Sequence, residues 1–225
     1  MKRIKNNFTL IELMVVMGLM VLMITLALPA FSKMSGNNKA DIMTSGIKTA
    51  LEQGQSTAVS RNCCVAVVFP SGTPTGSAAD YVYGGYRLAE VEASGTSYSF
   101  VKWISENYQN KPDGAALVLT AAATDDAATP ASGNSSSDTI KETLSISGKN
   151  DISYSDFLTV SSLPDGITGN SSVVFKPTGE CVNASMYLYI AGADTSGTAP
   201  ANIANNDFRL LRVNQFTGKV DYVER

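Results

Sequence analysis

The chain has 225 residues and a low charge, with 17 Lys and Arg against 20 Asp and Glu and a net charge of −3. This acidic balance argues against a broad binding surface for nucleic acid or acidic lipid. Because the chain has no His, Ser-His-Asp and Cys-His catalysis and His-bearing zinc sites are excluded. The Gly-rich stretch after Pro70 lacks the Lys of a phosphate-binding loop. We therefore predict that the protein is not an enzyme and that it uses no metal and no cofactor.

The most informative segment is the apolar run 8–31, FTLIELMVVMGLMVLMITLALPAF. It carries a single charge, Glu12, and follows the basic residues Lys2, Arg3 and Lys5. As a helix, its uncharged part would be about 28 Å long, near the thickness of the hydrocarbon core of a bilayer. Basic residues that precede a membrane span stay on its cytoplasmic side. The pattern therefore predicts a transmembrane helix over 8–31, with the rest of the chain outside the cytoplasm.

Two simpler interpretations of this run fit less well. A secretory signal peptide has a shorter apolar core, of roughly 7–15 residues, and a small-x-small cleavage site. The nearest approach to such a site here contains Pro29. A plain membrane anchor explains the length but not Glu12, because an acidic side chain costs up to roughly 2.5–3.5 kcal/mol at the centre of a bilayer. The carboxylate therefore requires a partner.

The stretch Phe8-Thr9-Leu10-Ile11-Glu12-Leu13, followed by apolar residues, resembles the N-terminal signature of type IV pilins and type II secretion pseudopilins. The resemblance implies that a prepilin peptidase cuts between Asn7 and Phe8, which removes residues 1–7 as a leader. It also implies that the new amine of Phe8 is methylated. Glu12 would then pair with that amine on a neighbouring subunit and set the stagger of the helices in a filament. The family nearly always has Gly before the cut, and Asn7 departs from this pattern.

The resemblance also gives a meaning to Pro29 and to the place of the protein in the cell. Many pilin helices carry a proline at this distance from the cut, and Pro29 predicts a kink because it removes a backbone hydrogen bond. Loss of the leader would leave 14 basic and 20 acidic residues. A pilin-like chain is expected as a single-pass protein of the bacterial inner membrane with a periplasmic C-terminal domain. After assembly it would lie in a pilus or pseudopilus.

The helical pattern continues to residue 61 in an amphipathic form. Apolar or small residues recur every three to four positions, at Ile42 or Met43, Ile47, Leu51, Gly54 and Ala58. We expect this stripe to pack against a sheet. The small side chains at Gly54 and Ala58 should let a strand approach the helix closely.

Residues 62–225 have the pattern of a β-rich domain, with polar loops near 121–138 and 192–207. The clearest predicted strands are Cys63–Phe69, Tyr81–Glu92, Tyr98–Ile104, Ser172–Pro177, Met186–Ala191 and a hairpin of Phe208–Asn214 with Lys219–Val223. The first is nearly continuously apolar, which predicts burial on both faces. Trp103 is expected in the core.

The predicted fold class is α+β and pilin-like. A long N-terminal hydrophobic helix, 8–61, has a membrane half and an amphipathic half and packs on a C-terminal antiparallel β-sheet domain. The helix that turns directly into a strand near Cys63, and the segments SVVFKPTGE and RLLRVNQFTGKV, resemble the GspH/FimT group of minor pilins and pseudopilins.

The three cysteines allow two alternatives. Adjacent side chains on a strand point to opposite faces, so only one of Cys63 and Cys64 can readily meet Cys181. A disulfide could persist in the periplasm, and by closing a long loop it could stabilise the fold by roughly 4–5 kcal/mol. The alternative is three buried thiols that act as small apolar groups.

Three functions remain open from the sequence. The first is a minor pilin or pseudopilin, a structural subunit whose partners are the prepilin peptidase, other pilin subunits and the inner membrane. The second is a DNA-binding minor pilin for DNA uptake, which the mixed charges of the tail 218–225 disfavour. The third is a substrate-binding pseudopilin that passes exported proteins to a secretion machine. The remaining alternative to these functions is a membrane-anchored relative that never enters a filament.

Overall fold

The computed structural model divides the chain into two compact units, Met1–Asn38 and Lys39–Arg225. The residues that the structure describes are 10–71, 74–95, 97–122, 156–195 and 208–223. Asn7 and Phe8 lie outside these ranges, as do most of the residues of the two predicted polar loops.

Helix α1 extends from Leu10 to Arg61, and its backbone remains helical through Pro29. After its last residue, Asn62 adopts φ 51°, the left-handed conformation that commonly follows the end of a helix. In the globular unit, α1 is amphipathic as predicted. Met43 is 3% exposed whereas Ile42 is 67% exposed, so Met43 belongs to the buried stripe. The buried apolar residues of this part are Ala40, Met43, Ile47, Ala50, Leu51 and Ala58.

The described strands form two sheets. The strands are β1 Cys64–Val68, β2 Arg87–Ser94, β3 Ser97–Trp103, β4 Ala115–Ala122, β5 Val160–Ser161, β6 Ser172–Phe175, β7 Met186–Gly192, β8 Phe208–Val213 and β9 Val220–Val223. One sheet has the order β5-β3-β2-β1-β6 and the other the order β4-β7-β8-β9. All of these neighbours are antiparallel except β3 and β5, which are parallel.

The main core lies where the globular part of α1 meets both sheets. Val65 and Val67 of β1 belong to this core, whereas Ala66 and Val68 belong to a second cluster on the other face of the five-stranded sheet. The alternation follows from the two-residue period of a strand. The predicted burial of this strand on both faces is therefore confirmed. A third cluster covers the other face of the four-stranded sheet and includes the stacked rings of Tyr189 and Phe208.

Helix α1 and the five-stranded sheet approach each other closely at Gly54. A Cβ atom at this position would lie 2.5 Å from Cγ2 of Val67 and 3.4 Å from the ring of Phe175. The first distance is far below van der Waals contact, so a residue with a side chain would force α1 and β1 apart. The predicted close approach of a strand to the helix at this glycine is confirmed.

The predicted fold class is wrong in its description of the helix and the sheet. A long hydrophobic helix packed on the domain is not seen, because the apolar segment with described side chains extends only from Leu10 to Thr25, and those side chains are exposed. The body contains two sheets, one of which includes a parallel pair. The physical reason is that only a helix with one apolar face can pack on a sheet and leave a polar face to water. Residues 10–25 have no such polar face.

The predicted location is also corrected. Within the described residues, no helix has both the length and the apolarity that a membrane crossing requires. A helix needs about 20 consecutive apolar residues to cross a bilayer. The prediction of a single-pass inner-membrane protein, with 8–31 as its transmembrane segment, is therefore wrong.

One strand was missed in the sequence. Residues 115–122 form the eight-residue strand β4, where the sequence analysis assigned no strand and expected a polar loop from about residue 121. Val118 lies at a bulge in the pairing of β4 with β7. The sequence of strand β4, a run of Ala, Leu, Val and Thr, has no alternation of apolar and polar residues. Since both of its faces are apolar, the period-2 signal was absent.

Candidate functional site

The apolar side chains of α1 in the N-terminal unit are exposed on all sides of the helix. Every residue from Leu10 to Thr25 is exposed, and the large apolar ones range from 46% for Val16 to 77% for Leu10. Burial of a single side chain of this size contributes about 1.5–3 kcal/mol. An exposed apolar surface of this extent is typical of a site of association.

Glu12 lies in the first turn of this helix. A carboxylate at that place interacts favourably with the positive end of the helix dipole, which contributes about 0.3–1 kcal/mol. Glu12 is exposed, like the residues around it. The resemblance to pilins assigns it a second role, as the partner of the amine of a neighbouring Phe8. Phe8 itself, with Asn7, lies outside the described residues, and the predicted kink at Pro29 stays a prediction.

A second feature lies at the end of α1 in the globular unit. The side-chain amide of Gln55 donates hydrogen bonds to two backbone carbonyls, that of Gly179 at 2.9 Å and that of Thr217 at 2.6 Å. The first carbonyl belongs to the turn after β6 and the second to the turn between β8 and β9. In addition, the N–H of Cys181 donates to the carbonyl of Gln215 at 2.9 Å. The side-chain amide of Gln55 therefore joins helix α1 to two turns, one that follows a strand of the five-stranded sheet and one that connects two strands of the four-stranded sheet.

The turn between β8 and β9 depends on a glycine with a left-handed backbone. Gly218 has φ 65°. Its N–H donates to the carbonyl of Asn214 at 2.8 Å, and the N–H of Asn214 donates to the carbonyl of Lys219 at 3.0 Å. The two bonds close a four-residue turn over 215–218, and the register of β8 with β9 has no bulge. A Cβ atom at Gly218 would lie 2.1 Å from the carbonyl oxygen of Gly179.

We expect Gly218→Ala to lower the free energy of unfolding by about 2–3 kcal/mol, because it adds left-handed strain and a clash with backbone. Gly95→Ala is the matched control. Gly95 has a similar φ, 64°, but its Cβ atom would meet nothing within 4 Å. Gly95→Ala should lower the free energy of unfolding by about 1 kcal/mol, which is the cost of the left-handed strain alone. Urea denaturation of both variants measures the difference, and equal losses would contradict the role of the Gly179 contact.

A largely buried cation lies on the outer side of the five-stranded sheet. The guanidinium of Arg87 lies 4.3 Å from the ring centre of Trp103 and 5.3 Å from that of Tyr108. It donates to the carbonyls of Ser105 at 3.0 Å and of Glu106 at 2.6 Å. The side chain of Arg87 is only 14% exposed. We call Arg87, Trp103, Tyr108 and Asp165 the arginine cluster.

Asp165 completes the arginine cluster from the loop before β6. Its Oδ2 lies 4.0 Å from the Arg87 guanidinium and accepts a hydrogen bond of 2.9 Å from the hydroxyl of Tyr108. Burial, together with this bond to a carboxylate, raises the pKa of Tyr108. The rings of Trp103 and Tyr108 also contact each other, with their centres 5.8 Å apart, so the cluster joins β2 and β3 to two loops. Trp103 is half-buried in this cluster.

The described lysines of the globular unit are neutralised locally. Each lysine that the structure describes in this unit has its Nζ within 2.7–3.2 Å of a carboxylate oxygen. The pairs are Lys39–Asp113, Lys48–Glu52, Lys102–Glu90, Lys111–Asp80, Lys176–Glu180 and Lys219–Asp221. Arg209 forms a two-pronged contact with Asp41 of α1. Surface pairs of this kind add little stability, but they lower the net positive charge that these lysines would present to a phosphate backbone.

The structure has all three cysteines as thiols. Cys181 is buried and Cys63 packs against the same core cluster, whereas Cys64 packs against the cluster on the other face of the sheet. The two adjacent side chains thus point to opposite faces, as the strand period requires. Of the two, Cys63 shares a core with Cys181, and the disulfide itself stays a prediction.

Burial raises the pKa of the Cys181 thiol to about 12, against the opposing effect of the backbone of Asn183. The thiol is more easily ionised in the unfolded chain than in the folded one. Its stabilising contribution to the fold is therefore fully present below the ordinary pKa of the thiol, 9.0, and is lost as the pH rises toward the pKa of the folded state. Under reducing conditions we expect a loss of about 2 kcal/mol from this group between pH ~8 and ~10.5. Cys181→Ala should remove that part of the alkaline slope, and Cys63→Ala should change the slope less. Identical slopes in the two variants and the parent protein would contradict the assignment.

Within the described ranges, no group of three or more Cys, Asp or Glu side chains could hold a metal ion. Comparisons of the chain with models of protein families, with curated proteins and with solved structures find no match. The resemblance to pilins and to the GspH/FimT group thus rests on the sequence segments quoted above. Sequence reasoning named Trp103 as a core residue but missed Arg87 and Gln55, because a single polar residue on a strand or helix carries no periodic signal.

Proposed function

We propose that the protein is a minor pilin or pseudopilin, a structural subunit of a type IV pilus or a type II secretion pseudopilus. It is cut between Asn7 and Phe8 by a prepilin peptidase and assembles through its N-terminal helix. The observation that carries the proposal is the helical segment from Leu10 to Thr25, which is exposed and, apart from Glu12, has no charged residue. Its first three residues belong to the Phe8–Glu12 motif.

Two properties of this segment support an assembly role. A helix without a polar face is stable only when other apolar surfaces cover it on every side. In a bundle of like helices each copy supplies that cover to its neighbours. The carboxylate of Glu12, four residues after Phe8, provides an acidic group at the level where the amine of a neighbouring copy would lie.

DNA binding is less well supported as an alternative. The lysines described in the globular unit are paired with carboxylates, so few counterions would be released on contact with a phosphate backbone. Lys219, in the tail that the sequence analysis considered, lies 2.8 Å from Asp221. This pair leaves the net charge of the described part of the tail near zero.

The first test of the proposal is the N-terminus of the protein made by its native cells. We expect the intact mass and the N-terminal sequence to correspond to a chain that begins at Phe8 and is heavier by one methyl group. Asn7→Gly, which restores the residue usual in pilins, is the matched control and should be cut at least as completely.

The outcomes of this test are distinct. A chain that retains Met1 in both proteins would overturn the proposal. If only the Asn7→Gly variant were cut, Asn7 would block the peptidase and the natural protein would not be a processed subunit. That result would equally exclude assembly of the parent chain.

A further inference from the structure

Trp103, the single tryptophan of the chain, is in ring contact with Tyr108 in the arginine cluster. The two ring centres are 5.8 Å apart in an edge-to-face arrangement. The residues differ in their access to solvent, since Trp103 is half-buried whereas Tyr108 is only 4% exposed. A small oxidant in solution therefore reaches the indole of Trp103 more readily than the phenol of Tyr108. Rings this close also allow an electron to pass directly from one to the other.

The hydroxyl of Tyr108 has a proton acceptor already in place. It donates a hydrogen bond of 2.9 Å to Oδ2 of Asp165, and an ionised carboxylate acts only as an acceptor. A phenol that loses an electron becomes a very strong acid, so its electron leaves readily only when its proton moves at the same time. The side chain of Asp165 is 29% exposed, which allows it to take this proton and release it to solvent.

The charges around the two rings favour a neutral radical on each of them. Burial, and after it the hydrogen bond to Asp165, raises the pKa of Tyr108, so the phenol keeps its proton at neutral pH and loses it together with the electron. The guanidinium of Arg87 lies 4.3 Å from the ring centre of Trp103. Its positive charge disfavours a second positive charge on the indole, so an oxidised Trp103 releases its Nε1 proton to water.

We propose that Trp103 and Tyr108 form a radical relay, in which a small one-electron oxidant takes an electron from Trp103 and Tyr108 replaces it. In the first step the oxidant gains one electron, and Trp103 loses one electron and its Nε1 proton. In the second step Tyr108 gives an electron to Trp103 and its hydroxyl proton to Asp165, while Nε1 of Trp103 regains a proton from water. The product is a phenoxyl radical at a buried position.

The relay is an activity of the globular unit and does not depend on the proposed filament function. Its substrates are small radicals that accept one electron. A small reductant, such as a thiol or ascorbate, then returns one electron and one proton to the phenoxyl group. Because Tyr108 is buried, its radical is shielded from the radicals of other copies, so the relay reduces the oxidative cross-linking that an exposed radical causes.

The test is pulse radiolysis of the full chain in detergent micelles, with the azide radical as the one-electron oxidant. Since the chain has a single Trp, the absorption of the indolyl radical reports on Trp103 alone. In the parent protein we expect this absorption to decay at the rate at which the absorption of a phenoxyl radical rises, whatever the protein concentration. Tyr108→Phe keeps the ring but lacks the hydroxyl. It should lose the coupled rise and prolong the life of the indolyl radical.

Tyr222→Phe is the matched control, because it removes a phenol that is 50% exposed on β9. This variant should keep the kinetics of the parent. Asp165→Asn keeps an acceptor for the Tyr108 hydroxyl but is a far weaker base, and it should slow the transfer by about a hundredfold. A cooperative melting transition above the temperature of the experiment shows that each variant is folded.

Three results would overturn the relay. The first is decay of the indolyl radical in the parent protein without a coupled rise of a phenoxyl radical, which is a measurement that requires no variant. The second is unchanged kinetics in folded Tyr108→Phe. The third is loss of the coupled rise in Tyr222→Phe, which would assign the phenoxyl radical to another tyrosine. None of these results depends on whether the chain enters a filament.

Discussion

Glu12→Ala is expected to abolish entry of the chain into filaments. In an assembled filament the carboxylate would lie near the cationic amine of Phe8 on a neighbouring copy. At about 4 Å and an effective dielectric constant near 20, such a pair attracts by roughly 4 kcal/mol before the cost of desolvation. Loss of the carboxylate would leave the amine unpaired among apolar side chains, which is more unfavourable than loss of the attraction alone. The measurement is the fraction of the chain that sediments with sheared filaments.

Two further variants distinguish this role from a local one. Glu12→Gln keeps the size of the side chain but not its charge, and it should fail to assemble as completely as Glu12→Ala. Glu12→Asp keeps the charge on a shorter side chain and should recover part of the assembly. If Glu12 acted only on the dipole of its own helix, each change would cost at most about 1 kcal/mol and all three variants would assemble. Mass spectrometry must show that the variants still begin at Phe8, since an uncut chain would fail for another reason.

Arg87→Met is expected to lower the free energy of unfolding by about 4 kcal/mol. The guanidinium makes two hydrogen bonds to backbone carbonyls and lies against the rings of Trp103 and Tyr108. It is also the nearest cation to Asp165 in the arginine cluster. Met has a similar length, so the variant removes the charge and the donors with little change in volume. Chemical denaturation measures the loss.

Lys102→Met is the matched control for this prediction. Lys102 lies on β3, the neighbouring strand, and its Nζ lies 3.1 Å from Glu90, but its side chain is 62% exposed. An exposed pair of this kind contributes about 0–1 kcal/mol, so this variant should be nearly as stable as the parent. Arg87→Lys should lie between the two, because it keeps the charge but not the planar fork that reaches both carbonyls. Similar losses for Arg87→Met and Lys102→Met would show that the cluster is not a unit.

Several local elements could be predicted because their signals are periodic. The recurrence of Met43, Ile47 and Leu51 every three to four residues predicted the buried face of α1. The apolar run that begins at Cys63 predicted a strand buried on both faces. The pattern around Gln215-Phe216-Thr217-Gly218 predicted the hairpin of β8 and β9, and the structure confirms its pairing.

The errors have a common physical origin. Hydropathy shows that a segment is apolar but does not show which surface covers it. The apolar run 8–31 was therefore interpreted both as a membrane span and as one half of a long helix that packs on the β domain. The sequence left Ile42 and Met43 open as alternatives, because the two residues differ by one step of 100° around the helix, which the local pattern does not resolve. Strand β4 was missed because its two faces are equally apolar.

The sequence by itself determined the amphipathic face of α1, most of the strands and the N-terminal motif, since each depends on residues within one or two turns of chain. Only the tertiary structure decided that the strands form two sheets, and that β5 lies parallel to β3. It also brought Gln55 to Gly179 and Thr217, and Arg87 to Asp165. These contacts join residues 78 to 162 positions apart. Such pairings are selected by the packing of the whole domain, because no local propensity extends over that separation.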